Sequence, residues 1–216
     1  MQMKLRAAAS IALTLAVLLP AAASARTLSY RIDPVHTQVL FSVDHDGYSQ
    51  PVGRMKVRAG WLQFDEDDWS AAKVVVDVDT ASVDFGDKEW DDAVTGKRFL
   101  DAKEFPLAHF ESTSVEKTDA QHGTLRGGLT LRGVTHEVAI PFTFNRAGAT
   151  IFAGMQTLAG FSAQTTLDRT QFGMTAFPKA VGTQVTVRLE VEAILDQDAQ
   201  KEYEAQKDSA RGSTQH

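Results

Sequence analysis

Residues 183–193, TQVTVRLEVEA, place Val185, Val187, Leu189 and Val191 on one parity and Gln184, Thr186, Arg188, Glu190 and Glu192 on the other. A period of two is that of an extended strand, whose successive side chains leave opposite faces of a sheet. One face of this segment is therefore built for a core and the other for water. Residues 134–145, VTHEVAIPFTFN, repeat the pattern with Val138, Ile140, Phe142 and Phe144 set against Glu137, Ala139 and Thr143. Similar alternation runs through HTQVLFSVDH (36–45), WLQFD (61–65), KVVVDVDT (73–80), AHFESTSVE (108–116), GTLRGGLTLRG (123–133) and GFSAQTTLDR (160–169). Gly53, Gly60, Gly133 and Asn145 supply the turns between them. The reading is all-β, with eight or nine antiparallel strands on hairpin-length connections, as in an up-and-down barrel or a sandwich.

Two segments break the rhythm. DKEWDDAVTGKRFLDAKEFP (87–106) is too acidic and too irregular for a strand; Asp87 can cap a short helix through Lys88–Val94, with Gly96 beyond its end. Residues 197–216 hold few apolar side chains and read as a polar tail, either a frayed helix or disordered. The β domain is assigned to residues 26–196, with no repeat or linker dividing it.

The first 25 residues read as a secretory signal peptide. Lys4 and Arg6 precede an apolar run, and Ala23-Ser24-Ala25 offers small residues at the positions a signal peptidase reads. Cleavage after Ala25 predicts an exported, periplasmic protein. Without Lys4 and Arg6 the mature chain has 20 basic residues against 28 acidic, a balance of −8. That balance argues against nucleic acid as a partner and against docking on anionic lipid by charge. The chain has no cysteine, so neither disulfides nor a cysteine-linked lipid is available.

Chemistry-bearing motifs are scarce. There is no G-x-S-x-G elbow, phosphate loop, C-x-x-C or H-E-x-x-H. The six histidines are scattered with no i, i+4 pair, and no metal site is expected, although His36 and His136 both stand near strand starts. In VDHDGYSQPVG (43–53) a histidine lies between two aspartates. Strand parity places Val39, Phe41, Val43 and His45 on the apolar face and Asp44 on the other, so the cluster cannot close on one ion. Asp46-Gly47 is a turn signal, the aspartate accepting from the backbone and the glycine supplying an unusual dihedral. His45 is then either a satisfied core residue or a polar group at the mouth of a cavity.

Five blocks together, IDPVHTQVLFSVDHDGYSQPVGRM (32–55), TASVDFGDKEWDDAV (80–94), RFLDAKEFPLAHFES (98–112), GTLRGGLTLRGVTHEVAIPFTFN (123–145) and GFSAQTTLDRTQFGM (160–174), resemble the YceI-like family. The resemblance spans about Tyr30 to Ala193. It implies a closed, lipocalin-like antiparallel β-barrel of about eight strands, with one short helix between strands, whose apolar bore binds a polyisoprenoid or another long-chain amphiphile. Asp46, Tyr48, Arg58, Trp90 and Ala93 depart from the family's common pattern and put the head-group preference in question.

The candidates for the bore are Phe41, Val43, Phe64, Val76, Phe110 and Leu129, with Val138, Phe142, Phe161, Phe172 and Met174; His45, Tyr48 and Trp90 are candidates for its mouth. The resulting expectation is a non-catalytic carrier or reservoir without a cofactor, holding an isoprenoid or fatty-acyl lipid, as monomer or dimer, with a transient inner-membrane partner. Two alternatives stay open: an accessory protein of envelope stress or membrane electron transfer, and an enzyme acting on an amphiphile with His45 and a carboxylate as acid/base pair.

Overall fold

The computed structural model describes residues 27–213; the segment read as a signal peptide lies outside them. Nine antiparallel strands form one sheet: β1 Leu28–Ile32, β2 Gln38–His45, β3 Val52–Phe64, β4 Lys73–Asp84, β5 Leu107–Lys117, β6 His122–Leu131, β7 Val134–Ala149, β8 Thr157–Asp168 and β9 Val181–Leu195. Each strand from β2 onward pairs with its successor except across the bore's closure, where β9 returns to β2. The sheet thus closes on itself, which leaves no long edge unpaired.

Nine strands fill eight positions around the barrel. β1 pairs with the end of β3, Leu28 opposite Phe64 and Arg31 opposite Trp61, while β2 pairs with its start, Val39 opposite Met55. On the other side β1 meets Ala193–Leu195 of β9 and β2 meets Val181–Glu190. β1 and β2 are two pieces of one stave, interrupted at Asp33–Thr37. Asp33 turns the chain there, its carboxylate accepting from the Val35 N–H at 2.8 Å and its carbonyl from the Thr37 N–H at 3.0 Å. Thr37 and Asp33 then restore bonding to β9 through the Glu192 backbone.

Alternation worked because a barrel gives each stave one face toward the bore and one toward water. Val187, Leu189 and Val191 of β9 and Val138, Ile140 and Phe142 of β7 all turn inward. β3 begins at Val52, well before the Trp61–Asp65 stretch that alternation marks, because register shifts against β4 between Arg54 and Lys56 and again between Val57 and Ala59 break its period.

The connections sort onto two ends. One end carries the β2–β3 turn, the β6–β7 turn, the β8–β9 loop and the segment Phe85–Pro106, which contains α1, Lys88–Thr95. Asp87 caps α1 as its sequence predicts, accepting from the Glu89 and Trp90 N–H groups at 3.0 and 3.1 Å, and Gly96 ends it. The opposite end carries the β3–β4, β5–β6 and β7–β8 connections, with Trp69 in a short turn of helix at Trp69–Ala71.

The polar tail is a second helix, α2, Ala199–Ser213. It is seated on the outside of the wall rather than frayed: Ala199 and Tyr203 are buried against Trp61 and Val75. The Tyr203 hydroxyl donates to Asp77 Oδ2 at 2.8 Å, and His109 Nδ1 lies 2.7 Å from Asp77 Oδ1. Two apolar residues one turn apart, with a carboxylate beneath, form the seat of an otherwise polar helix.

Candidate functional site: an apolar bore with one guarded end

Two cavities lie end to end inside the barrel and share Met55, Leu131, Leu167 and Val187 in their walls. The inner one, about 230 Å³, is lined by Phe64, Val76, Phe110 and Leu129, and by Val138, Phe142 and Phe161 of the sequence candidates. The outer one, about 430 Å³, is lined by Phe41, Val43, Phe172 and Met174. All eleven bore candidates therefore line one or the other cavity, and the outer one falls within the range that ligand pockets usually occupy, about 300–1,000 Å³.

An aromatic cluster closes the inner end. The Phe64 ring lies 4.9 Å from Phe144 and 5.2 Å from Phe161, and Trp69 stacks on Phe142 at 5.4 Å. Trp69, 2% exposed, is fixed from outside by Lys117, whose ammonium lies 4.7 Å from the ring centre, and by its own indole N–H, which donates to the Glu66 carbonyl at 3.1 Å. This plug escapes sequence reasoning because Trp69 sits in a connection, where period two carries no information.

The outer end is the mouth. His45 reaches the outer cavity, its ring 5.3 Å from Trp90 of α1, and Trp90 meets Phe85 edge to face at 5.6 Å. Gly53 allows the Phe41 and Phe85 rings to close over β3, since a Cβ there would stand 2.7 Å from both. Tyr48, proposed for the mouth, is corrected: it is 87% exposed and lines neither cavity. Asp46 and Gly47 both take left-handed backbone, φ 53° and 71°, and this tight turn carries Tyr48 past the rim into solvent.

Loops supply the rest of the mouth, including Phe99, Leu100, Phe177 and Arg169. Phe99, Leu100 and Phe177 lie outside the alternating stretches, and Arg169 ends one of them, GFSAQTTLDR (160–169), among polar neighbours that give no sign of its place at the mouth. Arg169 is 3% exposed. Its guanidinium donates to the carbonyls of Gly182, Met174, Ala176 and Val181, clamping the β8–β9 loop, and lies 5.7 Å from the Phe99 ring centre. A second arginine, Arg132 of the β6–β7 turn, reaches across to the carbonyls of Gly173 and Lys97 at 2.6 and 2.9 Å. Burial draws the Arg169 pKa down, yet a guanidinium stays charged.

The histidines do not converge. His36 pairs with Asp33 at 2.7 Å and His136 with the Gln171 carbonyl at 3.1 Å, so the two do not meet. Among the described residues no three His, Asp or Glu side chains group as metal ligands. No carboxylate hydrogen-bonds to His45 among them, and neither cavity is lined by an acidic residue.

Comparison with known proteins agrees with this geometry. Residues 30–193 match the YceI-like domain. The chain is similar to a UPF0312 protein of Pseudomonas putida, 35% identical over 185 residues that cover 85% of this chain and 95% of that one, and to one of Shewanella oneidensis, 35% identical over 175 residues, 81% and 91%. Among solved structures it is similar to BcnA of Burkholderia cenocepacia, with TM-score 0.66 and 22% identity over 74% of this chain and 98% of that one. It is also similar in fold to a polyisoprenoid binding domain from Saccharophagus degradans, with TM-score 0.56 and 12% identity over 78% and 99%.

Proposed function

The chain belongs to the YceI-like family, and on that premise we propose that it is a lipid-binding protein that holds a polyisoprenoid or other long-chain amphiphile in its bore, as carrier or reservoir. The observation that carries this reading is the pair of joined apolar cavities, plugged at one end by Trp69 and Phe142 and lined at the other by His45 and Arg169. The fold likeness to a polyisoprenoid binding domain supports it.

Each methylene moved from water into such a sleeve gains about 0.8 kcal/mol, so about ten give some 8 kcal/mol, the scale of micromolar binding. Ordering a flexible tail offsets part of that gain. Affinity then rises with the buried length of chain and selectivity with the shape of the bore, and neither needs catalysis. We place the mature protein in the periplasm, cleaved after Ala25, in transient contact with the inner membrane from which it draws its ligand.

Protein purified from cells is expected to carry a long-chain amphiphile, visible as added mass in native mass spectrometry and recovered by solvent extraction. Protein that is consistently empty, and binds no prenyl or acyl lipid in titration, sinks the reading. The intact mass and N-terminal sequence of the periplasmic fraction test export: an uncleaved chain, or one confined to the cytoplasm, removes the periplasmic assignment.

A further inference from the structure

The two ends of the barrel differ in what they show to solvent. Of the chain's three tryptophans and three tyrosines, Tyr30, Trp61, Trp69 and Tyr203 are buried, and the two left exposed, Tyr48 at 87% and Trp90 at 39%, both stand at the mouth. Val52, Leu107, Val134 and Phe177 are exposed at the same end. Trp90 and Phe177 also line the outer cavity, so the apolar surface of the bore continues outward over its lip. Phe177 is held there in left-handed backbone that an aromatic residue rarely adopts, at φ 50°, with its carbonyl accepting from the Ala180 and Val181 N–H groups at 3.1 and 2.9 Å. The Phe99 ring stacks on it at 6.2 Å, and the Arg98 guanidinium lies 5.2 Å from its centre.

The loops behind these rings satisfy backbone groups from within. Arg169 donates to the carbonyls of Gly182, Met174, Ala176 and Val181, and Arg132 to those of Gly173 and Lys97, while the Asp168 carboxylate beside Arg169 offsets its charge. Carbonyls bonded in this way can face a medium that offers no hydrogen bonds. The plugged end is different. Its exposed apolar side chains, Ile151, Phe152 and Met155, form a single tip, and the neighbouring connections expose Glu66, Asp67, Asp68 and Asp119, whose desolvation a bilayer would penalise.

We propose that the protein docks mouth-down on a lipid bilayer, with Tyr48, Trp90 and Phe177 seated at its interface. This rests on the lipid-binding reading for why the bore meets a membrane, and adds to it the face that does so. Tyrosine and tryptophan join an apolar body to a polar tip and collect at bilayer interfaces for that reason. The exposed charges nearby are mixed, Glu89 and Asp92 against Lys97, Arg98 and Lys179, so burial of the rings rather than net charge carries the contact. A ligand leaving the bilayer then passes Trp90 and Phe177 into the outer cavity without crossing water.

The test is partitioning of the mature protein onto phosphatidylcholine vesicles, measured by flotation at low and high salt. The wild type is expected to partition, undiminished by salt, and the double variant Tyr48→Ser, Phe177→Ser at least about tenfold less. Phe152→Ser, at the plugged end, is expected to partition like the wild type. Tyr48→Ser alone, at a side chain 87% exposed, is expected to lower partitioning without moving the unfolding midpoint, so that a folding defect does not stand in for a lost contact. Vesicles of brominated phosphatidylcholine are expected to quench tryptophan fluorescence in the wild type and much less in Trp90→Phe, because Trp61 and Trp69 lie away from the mouth. No partitioning, partitioning lost in Phe152→Ser but kept in the double variant, or quenching that survives Trp90→Phe overturns the proposal. Val187→Trp separates this proposal from the reading beneath it, and is expected to dock like the wild type with its bore filled. Uptake of farnesol by a protein that does not float with vesicles overturns docking alone; docking by a protein that takes up no prenyl or acyl lipid removes the lipid-binding reading alone.

Discussion

Asp46 takes the left-handed backbone that disfavours most L-residues, at φ 53°, and its N–H donates to the Ala180 carbonyl at 2.6 Å, tying the β2–β3 turn to the β8–β9 loop across the mouth. The carboxylate that steadies this turn belongs to Asp44, accepting from Gly47 N–H at 3.1 Å, and not to Asp46 as the sequence reading had it. Backbone preference therefore explains Asp46. Asp46→Asn is expected to leave thermal unfolding unchanged and Asp46→Val to cost about 1–2 kcal/mol by strain; equal midpoints for the two by calorimetry would show that the left-handed conformation is dispensable. Asp77 is the other informative carboxylate. Burial pushes its pKa up, but hydrogen bonds from His109 and Tyr203 outweigh burial and hold it below its ordinary value. A carboxyl depressed in the folded state lends stability that is complete above its unfolded pKa, about 3.9, and lost as pH falls through the folded value. Docking of α2 is expected to be constant from neutral pH down to about 4 and to loosen below it, with Asp77→Asn loosening it at all pH; amide exchange of α2 residues reads both.

At the scale of elements, strands were legible and connections were not. A stave of the barrel repeats its environment every second residue, so β9 could be read from valine and leucine alone. The mouth is assembled from four connections that meet only in three dimensions, so Phe99, Phe177 and Arg169 carry no local signature. α1 was legible because Asp87 caps it, whereas α2 was not, because its seat is made by Trp61, Val75 and Asp77 on the outward parity of distant strands. Asp87→Ala is expected to cost about 1 kcal/mol and, because α1 carries Trp90 to the mouth, to speed ligand release while leaving equilibrium unfolding of the barrel cooperative. Ligand off-rates measured by fluorescence check this, and unchanged off-rates would detach α1 from control of the mouth. Truncation after Asp196 is expected to expose Trp61 and Val75 and to promote self-association, seen in sedimentation.

For the whole molecule, the junction of the cavities is the decisive place, and Val187 is one of the four residues, with Met55, Leu131 and Leu167, that line both. Val187→Trp is expected to fill the junction, lowering affinity for long-chain amphiphiles at least about tenfold while shifting stability by less than about 2 kcal/mol, because the added ring enters open space rather than a packed core. Unaltered affinity for long tails would mean that the ligand does not span the two cavities. The divided first stave bears on how the chain reaches this form at all. Taking β1 and β2 as one stave, every other pair of neighbouring staves is also adjacent in sequence; only this stave must find β9, with Thr37 and Glu192 bonded across 155 residues. Closing so long a loop is the slowest search in the chain, and the half-formed barrel awaiting it is an open, curved sheet with its greasy face bare. The gap at Asp33–Thr37 lets that last seam be sewn in two short stitches instead of one long one.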